Sequence, residues 1–202
     1  MGRYEAILFD FDGVLADTEP VHFACWAEIL KPFGIQLGWP TYQKYCVGLH
    51  EEKMVEFFSG LRDPPLRVDD VWALYPRKSQ LFLERMVTAP PFPESTVTVL
   101  KSLFNYKLAV VTSSGRCEIE PVLEAGGIRS CFEAAVYGED VKRHKPAPDP
   151  YLLAAKRLGI TSALVVEDSE AGVESGRAAG FEVVRISDPA ETAALVLAAL
   201  AT

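Results

Sequence analysis

The sequence predicts an α/β protein, a doubly wound parallel sheet in a three-layer α/β/α core with an all-helical insert. Three observations predict it. From residue 94 onward, short apolar runs alternate with helical patterns, as in a parallel sheet with helices on both faces. Between Asp17 and Thr88 strand signals are nearly absent, so that stretch reads as helices alone. The first apolar run, Ala6–Phe9, precedes that helical stretch and must pair with strands far along the chain. The core is therefore expected to be discontinuous, residues 1–15 with 90–202, and residues 16–89 form the insert.

The elements follow in order. Ala6–Phe9 is long enough for one buried strand, and Gly13 allows a sharp turn just beyond it. Asp17 or Thr18 can cap a helix over Val21–Leu30, with Pro20 suited to its first turn. Further helices are expected near 40–46, 51–59 and 69–86, the last kinked or split at Pro76. Ala89-Pro90-Pro91-Phe92-Pro93 is a stiff connector. Helix Glu94–Phe104, strand Tyr106–Val111 and helix Ile119–Ala125 follow, then a short strand Ala134–Tyr137. Helix Pro150–Leu158 has Asp149 as its expected N-cap and Gly159 just past its end. Strand Ser162–Val166, helix Glu170–Ala179 capped by Ser169, strand Phe181–Ile186 and a helical tail complete the chain.

Composition bounds the function. At 202 residues and 49% apolar, the chain can bury a sizeable core. A net charge of −8 argues against non-specific nucleic-acid binding and against anionic membranes. Cys25, Cys46, Cys117 and Cys131 fit neither a zinc spacing nor a C-x-x-C pair, which points to reduced thiols in the cytoplasm. No signal peptide or membrane-spanning run is read, and the apolar Ala193–Ala201 run is expected to pack on the sheet. A monomer is expected.

Three predicted strands end in polar groups: Asp10 and Asp12, then Thr112-Ser113-Ser114, then Glu167-Asp168. Parallel strands bring these ends to one sheet edge, where open α/β sheets bind ligands. Asp10 and Asp12 are also ordinary turn formers, but four gathered carboxylates cannot all stay ionised without compensation. A divalent cation is the simplest remedy, and with only oxygen ligands on offer Mg²⁺ is the expected ion. Lys145 is framed by Pro146, Pro148 and Pro150, which places it rather than leaving it a solvated loop charge. A cation, a lysine, hydroxyls and an acid pair suit phosphoryl transfer. One aspartate can attack phosphorus and the other can exchange a proton with the leaving oxygen and with water.

Four ordered motifs, Asp10-Phe-Asp12-Gly-Val-Leu, Val111-Thr112-Ser113-Ser114, Lys145-Pro-Ala-Pro-Asp149 and Val166-Glu167-Asp168-Ser169, resemble those of the haloacid dehalogenase superfamily. The helical insert resembles the cap of the subgroup containing β-phosphoglucomutase and many sugar-phosphate phosphatases. That resemblance implies a Rossmann-like core and a cap domain that closes over the site, excludes water and selects the leaving group. It implies Asp10 as nucleophile and Asp12 as general acid/base. It further implies Mg²⁺ held by Asp10, the Asp12 carbonyl and Asp168, with Glu167 supporting the metal site. Thr112 and Lys145 would hold the phosphoryl group, and Ser113 and Ser114 would line its loop.

Within the superfamily, Asp12 argues against dehalogenases and phosphonatases, which lack an aspartate there. The stretch Asp17–Trp26 resembles the hinge and first cap helix of the mutase, including His22 and Trp26, although phosphatases share these residues. The mutase has an arginine where His50 and Glu51 stand here, and Arg77 and Lys78 could partly replace it. His144 stands where relatives usually carry glycine. The expected activity is a Mg²⁺-dependent phosphatase acting on a small phosphorylated metabolite, with a phosphomutase as the alternative. An inactive binding scaffold would have lost Asp10, Asp12, Lys145 or Asp168, and none is lost. Phe57, Phe58, Trp72 and Tyr75 could form a contact surface on the insert, or its core.

Overall fold

The computed structural model describes residues 3–47 and 51–201. The chain divides into two compact units, one of Met1–Asp17 with Ala89–Thr202 and the other of Thr18–Thr88.

The first unit opens on β1 (Ala6–Phe9), whose residues are all buried. A strand apolar on both faces belongs in the middle of a covered parallel sheet, and β1 lies there. The second unit begins with α1 (Glu19–Leu30), then α2 (Trp39–Tyr45), α3 (Glu51–Ser59), α4 (Val68–Trp72) and α5 (Tyr75–Thr88). After it come α6 (Glu94–Ser102), β2 (Lys107–Val111), α7 (Arg116–Ala125), β3 (Ala134–Val136) and α8 (Asp149–Leu158). The chain ends with β4 (Ala163–Glu167), α9 (Glu170–Ala178), β5 (Glu182–Arg185) and α10 (Thr192–Leu200).

The five-stranded sheet runs β3-β2-β1-β4-β5, and every pairing is parallel. Phe9 registers with Val110 on one side and Val166 on the other, so β1, β2 and β4 end level. The strand order reverses direction at β1, where the chain first builds outward through β2 and β3 and then returns to β4. Such a switch point opens a crevice at the carboxyl ends. Alternate residues Ala6, Leu8, Ala109, Val111 and Val165 face one way and pack with Tyr151, Ala154, Ala155 and Leu158 of α8, as the two-residue strand period requires. At the edge, β5 carries Glu182 and Arg185 at its ends, and charge discourages edge pairing.

The second unit has its own core. Trp26, Leu30, Ile35, Tyr42, Met54, Val55, Phe58 and Val71 form one buried cluster, and α1 packs along α5. Phe58 is buried, Phe57 and Tyr75 are half-buried, and Trp72 stays 42% exposed while stacking on Tyr75. The aromatics weighed as a contact surface are therefore mainly core. His50 lies outside the described residues, as does the side chain of Glu51.

Three local expectations are corrected. The predicted 69–86 helix breaks at Ala73-Leu74, not at Pro76. Pro76 sits in the first turn of α5, where its missing N–H leaves nothing unpaired. Asp149 is the first residue of α8 and Pro148 is the N-cap; the Asp149 carboxylate instead pairs with Arg143, at 2.9 Å. The helix expected from Ile119 begins at Arg116, whose amide is taken by the distant Glu139 carboxylate at 3.0 Å. The four cysteines are free. Among the described residues no helix is long and apolar enough to cross a membrane.

Trp26 is fully buried, with its ring 4.9 Å from that of Phe58. Trp26→Ala should destabilise the Thr18–Thr88 unit by about 3–5 kcal/mol, read as a lowered urea midpoint. An unchanged midpoint would contradict its place in that core.

Candidate active site

The site is built on the ends of the three central strands. At the end of β1, the Asp10 amide still donates to the Val166 carbonyl at 3.0 Å, so the strand ladder holds this residue, which is buried. The chain then turns tightly, and the Phe11 carbonyl accepts the amides of Leu15 and Ala16 at 2.9 and 3.2 Å. Gly13 has a φ of +73°, and a Cβ there would lie 2.2 Å from Asp168 Oδ2. Only glycine satisfies both the left-handed backbone and that close approach.

At the end of β2, the Thr112 amide donates to the Val136 carbonyl at 3.0 Å. Its hydroxyl accepts the Ser114 amide at 3.0 Å, a local turn typical of threonine. The Ser114 hydroxyl donates to Asp12 Oδ2 at 3.0 Å. Ser113 is exposed.

At the end of β4, Glu167 is fully buried. Its Oε1 accepts Lys145 Nζ at 2.5 Å and the Tyr151 hydroxyl at 2.7 Å. Its Oε2 accepts the amides of Asp168 and Ser169 and the Ser169 hydroxyl, at 3.1, 3.3 and 3.1 Å. A Cβ on Gly172 would lie 1.9 Å from Glu167 Cδ, so the first turn of α9 closes directly over this carboxylate.

Lys145 joins the strand ends. Its ammonium donates to Asp10 Oδ1 at 2.6 Å, to the Val111 carbonyl at 2.9 Å and to Glu167 Oε1, using all three of its hydrogens. Burial lowers the Lys145 pKa, but the Asp10 and Glu167 charges outweigh it and the net shift is upward. The lysine therefore stays charged. Burial also pushes the Asp10 pKa well up, with Glu167, Asp12 and Asp168 adding to the rise and Lys145 opposing it. The Tyr151 pKa is raised by burial and then by Glu167, which keeps its hydroxyl a donor.

Asp10, Glu167 and Asp168 each offer a carboxylate oxygen, and these lie within 4.8 Å of one another. One lysine does not balance such a set. The oxygen-only donor set fits a hard divalent cation.

The predicted residues thus fall into two contact sets along this edge, Lys145 with Asp10, Glu167 and Asp168, and Ser114 with Thr112 and Asp12. His144 is exposed and its carbonyl accepts the Ala147 amide at 2.9 Å. His22 and Lys78 belong to the other unit, where Lys78 Nζ lies 2.7 Å from His22 Nδ1. Burial and then Lys78 hold the His22 pKa well below its usual value, so the ring is neutral and accepts from the ammonium. Lys78 is buried, whereas Arg77 is exposed. Tyr151 is the site residue that sequence reasoning missed, because an aromatic on an apolar helix face reads as core.

The Asp168 pKa is raised to about 6 by burial and then by Glu167, above the ordinary aspartate value of about 3.9. Without a cation the unfolded chain releases this proton at lower pH than the folded one. Stability contributed by the protonated group is therefore lost as pH rises from about 4 to about 6. In EDTA, Asp168→Asn should melt above the wild type at pH 7, with the gap closing near pH 4. Equal melting at pH 7 would refute the raised pKa.

Comparison with known proteins agrees with this geometry. The chain is 33% identical over 197 residues to fructose-1-phosphate phosphatase YqaB of Escherichia coli (strain K12), covering 91% of this chain and 97% of that protein. It is 29% identical over 180 residues to a phosphorylated carbohydrates phosphatase of Thermotoga maritima, covering 88% and 82%. The crystal structure of CbbY from Rhodobacter sphaeroides in complex with phosphate superposes with a TM-score of 0.71 at 25% identity, covering 89% of this chain and 84% of that one. Residues 7–186, a span holding all four motifs and the insert, match the family model of the haloacid dehalogenase-like hydrolases, and the chain belongs to that family.

Proposed function

We propose that this chain is a Mg²⁺-dependent phosphatase that hydrolyses a small, sugar-phosphate-like metabolite through an aspartyl phosphate on Asp10. The observation that carries the reading is the buried Lys145 ammonium shared by Asp10 and Glu167, with Asp12 and Asp168 on the same sheet edge. The names of the related phosphatases support the substrate class.

Lys145 fixes Oδ1 of Asp10, and so orients the carboxylate as a nucleophile. An Asp10 oxygen attacks phosphorus, and the ester P–O bond breaks with its electrons on the leaving oxygen. Asp12 gives that oxygen a proton. Asp12 then takes a proton from water as the water oxygen attacks the phosphorus of the aspartyl phosphate. Phosphate leaves and the Asp10 carboxylate is restored. The Thr112 hydroxyl donates to a phosphoryl oxygen, and the charge of Lys145 neutralises the phosphoryl group from its place between Asp10 and Glu167.

Asp10, Asp168 and the Asp12 carbonyl would hold Mg²⁺, which supplies charge neutralisation on the phosphoryl group. Glu167 differs from the other acids because five donors already fill its oxygens. We assign it as the counter-ion that aims Lys145, in place of a direct metal ligand. The Thr18–Thr88 unit, with a core of its own, is proposed as the cap that selects the leaving group.

Phosphate release from a panel of alkyl phosphates and one aryl phosphate tests the reading. Release should require Mg²⁺, vanish in EDTA, and fall by about three orders of magnitude or more in Asp10→Asn. Turnover retained in that variant would remove the nucleophile assignment. Interconversion of hexose 1- and 6-phosphates with little phosphate release would establish the mutase instead. Lys145→Ala leaves two buried carboxylates without their cation, which should cost about 3–5 kcal/mol in urea unfolding and lower kcat/KM. A near-normal kcat/KM would exclude the role of Lys145.

A further inference from the structure

Ser114 is held on three sides within the core unit. Its amide donates to Thr112 Oγ1 and its carbonyl accepts the Gly138 amide, both at 3.0 Å. Its hydroxyl donates to Asp12 Oδ2, also at 3.0 Å. The turn carrying Gly138 presses on this loop, since a Cβ at Gly138 would lie 2.4 Å from the Ser113 carbonyl oxygen. The adjacent Glu139 takes the Arg116 amide on both carboxylate oxygens, at 3.0 and 3.3 Å. The backbone on either side of Ser114 is therefore stitched to one neighbouring turn, which fixes the point from which its hydroxyl reaches Asp12.

A serine hydroxyl has one hydrogen to donate. Here that hydrogen goes to Asp12, so it is not available to a phosphoryl oxygen while this contact stands. Ser114, expected from the sequence to line the phosphate loop, has this contact to Asp12 from its place in that loop. We propose that Ser114 is a positioning residue, whose hydroxyl fixes the Asp12 carboxyl so that Oδ1 faces the leaving oxygen. The proposal rests on the reading of Asp12 as general acid/base. In balance, Asp12 Oδ1–H passes its proton to the leaving oxygen as the ester P–O bond breaks, and Oδ1 later takes a proton from the attacking water. Ser114 keeps its own proton throughout. Proximity terms make such orientation worth a measurable factor in rate.

The test uses leaving groups. An alkyl phosphate needs its leaving oxygen protonated, whereas 4-nitrophenolate departs readily as an anion. Steady-state kinetics on the fastest alkyl phosphate of the panel and on 4-nitrophenyl phosphate should be compared for wild type, Ser114→Ala, Ser114→Thr and Asp12→Ala. Ser114→Ala should lose about tenfold in kcat/KM on the alkyl ester, with little change in kcat/KM on the aryl ester, because kcat/KM covers the steps through loss of the leaving group and excludes the base-assisted hydrolysis that both esters share. Ser114→Thr keeps the hydroxyl and should recover most of the loss. Equal losses in kcat/KM on both esters, or no loss at all, would overturn the proposal. Asp12→Ala separates the two readings. A uniform effect on kcat/KM there removes the general-acid assignment and the proposal with it. A leaving-group-selective effect in Asp12→Ala, beside a uniform one in Ser114→Ala, removes the Ser114 role alone.

Discussion

The structure of the core depends on one buried ammonium. Lys145 donates to Asp10, to the Val111 carbonyl and to Glu167, and so ties together the ends of the three central strands. Each of these carboxylates would be costly alone at this depth, and Lys145 would be costly without them. The usual desolvation penalty of a buried ion pair is offset here by complete hydrogen bonding around the shared charge. The arrangement still leaves a surplus of negative charge, carried by Asp168 and Asp12. A divalent cation held at this edge would neutralise that surplus.

Two kinds of closeness make the cluster possible. One is the level ending of β1, β2 and β4, which follows from register. The other is the absence of side chains at Gly13 and Gly172, which lets the loop after β1 approach Asp168 and lets α9 approach Glu167. The sheet supplies direction and the glycines supply distance. The Thr18–Thr88 unit has a hydrophobic cluster of its own.

Much of the core was legible in the sequence because its signals are local. A four-residue apolar run followed by Asp-Phe-Asp-Gly needs no partner to be read as a buried strand running into a turn. The hydroxyl run after Val111 and the acid pair after Val166 are legible on the same terms. What escaped depends on residues distant in the chain. α7 starts a turn early because Glu139 takes its first amide. Asp149 does not cap α8 because Arg143 claims its carboxylate. Tyr151 looked like core and is core by burial; only its hydroxyl, 2.7 Å from Glu167, belongs to the site. The separation of Lys78 from Arg77 has the same origin, since one side of α5 faces the unit's interior.

Ser169 joins two processes that are usually separate. Its hydroxyl accepts the Gly172 amide and so starts α9, while the same oxygen donates to Glu167. A chain that fails to form this helix start also loses a donor to its most buried carboxylate. Secondary structure at the β4–α9 joint and charge burial at the sheet edge are therefore coupled through one oxygen. The consequence is that fraying at the first turn of α9 reaches the charge cluster directly, by freeing one of the five donors that hold Glu167.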